Sequence, residues 1–145
     1  MMGMTNEQLL AFNSNVITEF RQHDGVMPEG SLFHGNPTLL MTMTGAKSGR
    51  SLTSPLSFAI NERGWIIMAS AGGSEQTPAW AFNLRANPEV TIELPGETFQ
   101  AIATETTGAE RDQAFADMTG QLPRFAGYQE QVTRQIPLFQ LTRKG

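Results

Sequence analysis

The most informative absence in this chain is cysteine, since none occurs among its 145 residues. Disulfides, thiolate metal sites and a cysteine nucleophile are therefore excluded. Histidine is nearly as scarce, because His23 and His34 are the only two and no cluster of carboxylates flanks either of them. A zinc site usually takes three or four protein ligands of these kinds, so we expect no metal centre.

The chain also lacks long apolar runs and an excess of positive charge. No window approaches 18 apolar residues, and the start has neither the basic nor the apolar stretch of a signal peptide, so we expect a cytoplasmic protein without a transmembrane helix. The formal net charge of −4 provides no basic field that would attract nucleic acid. The length fits one domain, residues 1–145, in which residues 1–30 form a helix and a loop.

The N-terminal segment has the pattern of an amphipathic helix. Thr5 and Gln8 form a capping box, and apolar residues recur at helical spacing between Leu9 and Phe20. We expect the apolar face to lie on the core. A helix on a membrane surface is the alternative, but Arg21 is the only cation of the polar face, whereas such helices usually have several.

Beyond residue 37 the pattern changes to short β-strands in hairpins. Strands are predicted at residues 38–44, 53–60, 65–69, 90–94, 99–104 and 136–142. Pro55 favours an edge position or a bulge for the second strand. Helices are predicted from Thr77, as N-cap, to about residue 86 and from Thr107 to about residue 119, followed by a loop or partial helix. This order predicts an α+β, mainly β fold, in which an antiparallel barrel or curled sheet has helices outside.

A turn rich in glycine and cations joins the first two predicted strands. Residues 45–51 (GAKSGRS) contain two glycines, two cations and two hydroxyls. Glycines let backbone N–H groups approach an anion closely, and Lys47 and Arg50 add charge and directional donors. The composition favours a phosphate or carboxylate ligand, with an ordinary solvated hairpin turn as the alternative. The spacing differs from that of a P-loop.

Small residues dominate a second segment, residues 69–73 (ASAGG), which directly follows an apolar strand. Such a strand end leaves room for a flat ring, and the helix that begins nearby offers N–H groups to an anion. A flexible loop is the alternative for this segment alone. Taken together, the two segments favour a cofactor with a planar head and an anionic tail. Trp80 either stacks beside such a ligand or belongs to the core.

Three blocks, residues 44–56 (TGAKSGRSLTSPL), 69–73 (ASAGG) and 78–88 (PAWAFNLRANP), occur in this order. Together they closely resemble the deazaflavin-dependent nitroreductase family, the split-β-barrel reductases of actinobacteria that use coenzyme F420. The resemblance extends over nearly the whole chain. It implies a single split-β-barrel domain that binds deazaflavin. It also implies hydride transfer from F420H2 to a small conjugated acceptor, such as a quinone, a nitroaromatic or an enone-like compound.

The resemblance further implies a role for each matching residue. The anionic end of F420 would be held by Lys47, Ser48, Gly49, Arg50 and Ser51. The ring and its linkage would contact Pro55, Leu56, Met68, Ala69, Ser70, Ala71, Ala79, Trp80 and Asn83. The acceptor would lie against Ser57, Leu122, Phe125 and Tyr128. Tyr128 or Ser70 would donate the balancing proton, with water as the rival donor.

Two departures from the family pattern concern the cofactor tail and the acceptor. Ala46 and Leu52 stand where the family often has basic residues, so tail binding would depend on Lys47 and Arg50. The acceptor side has fewer tyrosines than some members have, so the substrate range does not follow. Two other functions stay open, an FMN-dependent split-barrel oxidoreductase and a non-catalytic carrier of a fatty acid or hydrophobic cofactor. The family includes monomers and homodimers.

Overall fold

The computed structural model describes residues 6–25 and 37–144, and within them the chain forms four α-helices and seven β-strands. Thr5 of the predicted capping box lies outside the described residues. The helices are α1 (Asn6–Gln22), α2 (Ala79–Ala86), α3 (Gly108–Gln121) and α4 (Arg124–Gln131). The strands are β1 (Thr38–Thr44), β2 (Ser51–Ser57), β3 (Ala59–Asn61), β4 (Gly64–Met68), β5 (Glu89–Leu94), β6 (Glu97–Glu105) and β7 (Leu138–Arg143). A short 3-10 turn, Ala71–Gly73, follows β4.

The seven strands form one antiparallel sheet in the order β2-β1-β5-β6-β7-β4-β3. The two edge strands, β2 and β3, are separated in the chain by Phe58 alone. Since consecutive Cα atoms are about 3.8 Å apart, the two edges must approach each other at this residue. The sheet is therefore curled, with helices packed outside it, and the predicted α+β, mainly β fold is confirmed.

Apolar side chains form a separate cluster on each face of the sheet, because successive residues of a strand point to opposite sides. In β4, Ile67 belongs to the inner cluster with Met41 and Phe139, whereas Ile66 belongs to the outer cluster beneath α3 and α4. A third cluster lies beneath α1, where Val16 and Phe20 are buried against Leu40. The apolar face of α1 thus lies on the core, as predicted.

The structure corrects the predicted strand at residues 53–60. The chain forms two strands there, because the pairing with β1 ends at Ser57 and a new pairing with β4 begins at Ala59. Phe58, between them, donates its N–H to the carbonyl of Pro37 at 3.3 Å. Pro55 does lie in an edge strand, as its missing N–H requires.

Two helices also differ from their predictions. Pro78, not Thr77, is the N-cap of α2, and the Thr77 hydroxyl accepts a hydrogen bond from Arg134. The segment expected as a loop or partial helix forms the complete helix α4. None of the helices in the described ranges is long and apolar enough to cross a membrane.

Candidate functional site

The basic turn, residues 45–51, is closed by its own backbone. The Gly45 N–H donates to the Arg50 carbonyl at 2.8 Å, and the Gly49 N–H donates to the Gly45 carbonyl at 3.0 Å. The Ser48 hydroxyl accepts from the Arg50 N–H at 3.1 Å. Gly49 has φ +71°, which L side chains rarely adopt. The glycine therefore serves the turn itself, and the hydroxyl of Ser48 is engaged within it.

Asn83 fixes the basic turn to α2. Its Oδ1 accepts from the Ala46 N–H at 2.9 Å, and its side chain is 9% exposed. A longer contact, 3.5 Å, joins the Asn87 side-chain nitrogen to the Thr44 carbonyl. The first and third sequence blocks are thereby brought together. Asn83 has a structural role in the turn, which the sequence pattern did not reveal.

The two cations of the basic turn stand apart from the other cations of the chain. Arg21, Arg63, Arg85, Arg143 and Lys144 each pair with a carboxylate. The three remaining arginines, at positions 111, 124 and 134, make hydrogen bonds to uncharged groups. Within the described ranges, the exposed side chains of Lys47 and Arg50 have no hydrogen bond or ion pair. Their charge is therefore available to an external anion.

The second block follows β4 and begins the small-residue loop, which we define as residues 69–77. The Ala69 N–H donates to the Pro137 carbonyl at 2.9 Å, and the Ser70 carbonyl accepts from the Gly73 N–H at 2.9 Å. Ala71 has φ +48°, a strained conformation for a residue with a Cβ. The backbone N–H groups of Ser70 and Ala71 and the Ser70 hydroxyl have no acceptor among the described residues. The loop thus has three donors without partners, two of them on Ser70, which is 6% exposed, and one on the exposed Ala71.

The inner cluster brings parts of all three blocks onto one group of side chains. Ala69 is fully buried in this cluster, and Leu56 and Trp80 pack against it while staying half-exposed. The Trp80 ring lies 5.8 Å from that of Phe139, so it contributes to the core as well as to the surface at the start of α2. Of the other predicted cofactor contacts, Pro55 and Met68 are buried, and Ser51 and Ala79 are exposed.

Of the residues predicted for the acceptor side, Phe125 and Tyr128 lie in α4, Leu122 is the C-cap of α3 and Ser57 ends β2. Leu122 and Phe125, each 7% exposed, are buried in the outer cluster with Met68. Tyr128 is half-buried and packs edge-on against Phe125 at 5.1 Å. It also adjoins the small-residue loop, since a Cβ added to Gly73 would lie 3.4 Å from its ring.

Ser57 lies beside the N-terminal end of α4, where its hydroxyl accepts from Arg124 Nη2 at 3.3 Å. Ser57 thus contacts the first residue of α4, and Leu122, just before the helix, accepts from the Phe125 N–H at 3.0 Å. The Tyr128 hydroxyl has no hydrogen-bond partner in the described part of the chain, so it is available to an external group.

Arg134 is a residue of this region that the sequence pattern did not single out. Its guanidinium donates to the carbonyls of Ala69 and Ser70, at 3.0 and 3.3 Å. Burial lowers the pKa of Arg134 from its usual value, and the nearby charge of Glu75 acts in the opposite direction. No local motif marks this residue, because its partners lie about sixty positions earlier in the chain.

A hollow of about 420 Å³ lies away from these blocks, between α1 and the turn that joins β5 to β6. Its charged groups are mostly acidic, and its one cation, Arg21, is already paired with Glu93 at 2.8 Å. An anionic cofactor would find little attraction there. The hollow is lined by Phe20, Arg21, Asp24, Glu93, Leu94, Gly96, Glu97 and Thr98. The described residues also contain no cluster of three His, Asp or Glu side chains that would hold a metal ion.

Comparison with known proteins gives the same family from sequence and from structure. The family model of the F420H(2)-dependent quinone reductases matches residues 14–143. An F420H(2)-dependent quinone reductase of Mycobacterium tuberculosis is 33% identical over 111 residues, which cover 74% of this chain and 74% of that protein.

Solved structures confirm the split-barrel fold. The F420-H2 dependent reductase FDR-A is 35% identical, with a TM-score of 0.66 over 74% of this chain and 94% of that chain. A domain-swapped dimer is 30% identical, with a TM-score of 0.68 over 96% of this chain and 100% of that chain.

Proposed function

The chain belongs to the F420H(2)-dependent quinone reductase family, and we propose that it binds F420 between the basic turn, the small-residue loop and the start of α2. Membership of this family makes the protein an F420H2-dependent oxidoreductase that reduces quinone-like acceptors. The position of the cofactor on the chain and the identity of the acceptor are proposals.

The observation that carries the proposed site is the pair of free cations in the basic turn. Lys47 and Arg50 are the exposed cations that neither a carboxylate nor a neutral group engages within the described residues. Unpaired cations in a tight turn suit the phosphate and glutamate groups of the F420 tail, because charge-assisted hydrogen bonds are the strongest that side chains make. Ser48, Gly49 and Ser51 complete the turn. Because Ala46 and Leu52 are uncharged, Lys47 and Arg50 supply all of its positive charge.

The ring of F420 would lie where the three blocks meet. The unused N–H groups of Ser70 and Ala71 and the Ser70 hydroxyl supply donors, and the small side chains of the loop leave space for a flat ring. Leu56 and Trp80 supply apolar surface beside them. The remaining predicted contacts are Pro55, Met68, Ala69, Ala79 and Asn83. The bound cofactor supplies the hydride, and the protein supplies position and electrostatics.

The acceptor would lie beside α4, against Ser57, Leu122, Phe125 and Tyr128. Phe125 is buried and supports the Tyr128 ring edge-on, so the half-exposed ring of Tyr128 is the aromatic surface that suits a conjugated acceptor. The free hydroxyls of Tyr128 and Ser70 are the two side-chain candidates for donating a proton to the reduced acceptor, and water is the third candidate. Quinones fit this description, and nitroaromatics and enone-like compounds are further acceptors of the same shape.

Two rival functions are less well supported than an F420-dependent reductase. An FMN enzyme of the split-barrel type would need phosphate contacts as well, so the basic turn alone does not separate the two cofactors, whereas family membership favours F420. A carrier of a fatty acid or other hydrophobic cofactor has less use for two free cations in a turn. We further propose a cytoplasmic protein of one domain, residues 1–145, that acts as a monomer or homodimer without nucleic acid.

The activity is tested by mixing the purified protein with F420H2 and menadione and recording the recovery of F420 absorbance. We expect oxidation of F420H2 that saturates with both reactants. A parallel reaction with reduced FMN under the same conditions should be much slower. Turnover with reduced FMN alone would assign the site to a flavin. Absence of turnover with both, in a protein that also binds neither cofactor, would contradict the reductase function.

A further inference from the structure

We propose that Arg134 is a positioning residue for the F420 site, because it fixes the small-residue loop in the shape that leaves the N–H groups of Ser70 and Ala71 free. Arg134 lies in the connection between α4 and β7, outside all three sequence blocks. The inference rests on the proposed function, since it concerns how the same site is kept ready for its cofactor.

The guanidinium of Arg134 contacts the beginning, the middle and the end of the small-residue loop. Besides the carbonyls of Ala69 and Ser70, it reaches the Ser74 carbonyl through Nε at 3.1 Å and the Thr77 hydroxyl through Nη1 at 3.3 Å. A guanidinium has five donors in a planar fork, so a single side chain can serve all four acceptors. A lysine in this place would have one ammonium for acceptors that lie in different directions.

The first two of these bonds set the direction of the free donors. A trans peptide is planar, so the carbonyl of one residue and the N–H of the next are held in one plane and point to opposite sides. All peptide bonds between the described residues are trans. When Arg134 holds the Ala69 carbonyl, it therefore orients the Ser70 N–H, and by holding the Ser70 carbonyl it orients the Ala71 N–H. Both N–H groups are directed away from Arg134.

The loop needs such an anchor because its backbone is strained. Ala71 has φ +48°, and a residue with a Cβ keeps such a conformation only when surrounding contacts determine it. Glu75 adds a second attachment, since its carboxylate accepts from the Thr133 N–H at 2.9 Å and from the Thr133 hydroxyl at 3.2 Å. Thr133 and Arg134 thus hold the loop together.

The anchor is itself fixed to α4. Gln129 donates from Nε2 to the Arg134 carbonyl at 2.8 Å, and its Oε1 accepts from the Ile136 N–H at 2.9 Å. Arg111, in α3, donates to the same Oε1 at 3.1 Å. Gln129 is the neighbour of Tyr128 in α4. The bond between Gln129 and Arg134 therefore connects the helix on the proposed acceptor side to the loop on the proposed cofactor side.

The test compares Arg134→Ala and Arg134→Lys with the wild-type protein and with Arg63→Ala, which removes an arginine from an exposed ion pair with Glu110. Amide hydrogen exchange of residues 69–77 is measured first, without cofactor. The dissociation constant for F420 is then measured by fluorescence, with and without added guanidinium chloride at a concentration that leaves the wild-type protein folded. We expect faster exchange in residues 69–77 for both Arg134 variants, and about tenfold weaker F420 binding for Arg134→Ala, equivalent to the loss of about 1.4 kcal/mol.

Added guanidinium should restore part of the F420 affinity of Arg134→Ala, because the ion can occupy the position of the missing Arg134 side chain. The F420 affinity of Arg63→Ala should not change. Wild-type exchange in residues 69–77 of a folded Arg134 variant would overturn the inference. Faster exchange with an unchanged dissociation constant would also overturn it. If Arg134→Ala does not fold, Arg134→Lys decides by the same two criteria. Failure of the wild-type protein to bind F420 would instead overturn the proposed function. The two failures are distinguishable, because hydrogen exchange is measured without cofactor and reports only on the loop.

Discussion

Asn83 is the residue at which the fold and the proposed cofactor site meet. Its buried amide oxygen accepts from the Ala46 N–H of the basic turn, while the rest of its side chain belongs to α2. Lys47, one position further along the turn, depends on this attachment for its place. The hydrogen bond from the Ala46 N–H to Asn83 Oδ1 thus helps to fix the position of the Lys47 charge.

Replacement of Asn83 by Leu should therefore affect both stability and cofactor binding. Loss of the hydrogen bond should lower the free energy of unfolding by about 1 kcal/mol, because a typical net contribution is of that size. The dissociation constant for F420 should rise, since the basic turn is no longer fixed to α2. Urea unfolding and a fluorescence titration measure the two effects. Asn87→Ala, which removes only the 3.5 Å contact to Thr44, is the matched control.

Asn83→Asp separates the two roles, because it keeps an acceptor for the Ala46 N–H and adds a negative charge. We expect it to be more stable than Asn83→Leu but to bind F420 no better, because a carboxylate beside the basic turn repels the anionic tail. Equal F420 affinity in the wild-type protein and in Asn83→Leu would contradict the role given to this residue.

Single residues also show where sequence reasoning reaches its limit. Lys47 and Arg50 were predicted as anion ligands from composition, and the lack of any partner for them in the described structure is compatible with that role. Thr77 was predicted as a helix cap from the Pro that follows it, but its hydroxyl accepts from Arg134. Such a long-range partner leaves no trace in local spacing, so neither this bond nor the position of Arg134 could be predicted.

Helix α4 illustrates the same limit for a whole element. Local propensity predicts only a loop or partial helix here, because Gly127 lies in the interior of α4 and Gly disfavours helix by about 1 kcal/mol relative to Ala. The helix forms since Phe125 and Tyr128 pack against the outer cluster, which local propensity does not describe. The predicted strand at residues 53–60 was wrong for a related reason. Both of its halves have β-type composition, and only the curl of the sheet separates them at Phe58.

The proton donor is tested on α4 and on the small-residue loop by Tyr128→Phe and Ser70→Ala. Tyr128→Phe keeps the ring that packs against Phe125, so its stability should change by about 0.5 kcal/mol or less. Removal of the donating hydroxyl should lower kcat with menadione by about 100-fold, a typical contribution of a general acid. The F420 dissociation constant should stay unchanged in Tyr128→Phe and rise in Ser70→Ala, because the Ser70 hydroxyl is also one of the proposed donors to the ring. Wild-type kcat in both variants would contradict a side-chain donor and assign the step to water.

At the scale of the molecule, β7 completes the fold. It is the last strand in sequence, yet it pairs with both β6 and β4 in the interior of the sheet. The pairing of Trp65 with Leu141 joins distant parts of the chain. In the order of strands, β7 connects the hairpin of β3 and β4 to β6, so the strand that leads into the small-residue loop is aligned with β6 only through β7. The antiparallel strands and their hairpins could be predicted, but this order of strands could not.

Phe139, in β7, should therefore be among the residues on which stability depends most. It is 1% exposed and packs in the inner cluster. Phe139→Ala should lower the free energy of unfolding by about 3–5 kcal/mol, the usual cost of removing a buried aromatic side chain. Phe82, which is 51% exposed with Arg85 above its ring, is the matched control, and Phe82→Ala should cost about 1 kcal/mol or less. Equal midpoints of denaturation for the two variants would show that β7 does not have this central role.

The central claim, that this chain binds F420 through the basic turn, is tested most directly by fluorescence titration with F420. The wild-type protein is compared with the double variant Lys47→Ala/Arg50→Ala and with Arg63→Ala/Lys144→Ala, which removes the same charge from exposed ion pairs elsewhere. We predict saturable binding by the wild-type protein and by the second variant, and binding at least about tenfold weaker by the first, since each charge-assisted contact contributes about 1.5–3 kcal/mol when well formed. Absence of saturable wild-type binding, or equal affinities of the two double variants, would contradict the claim.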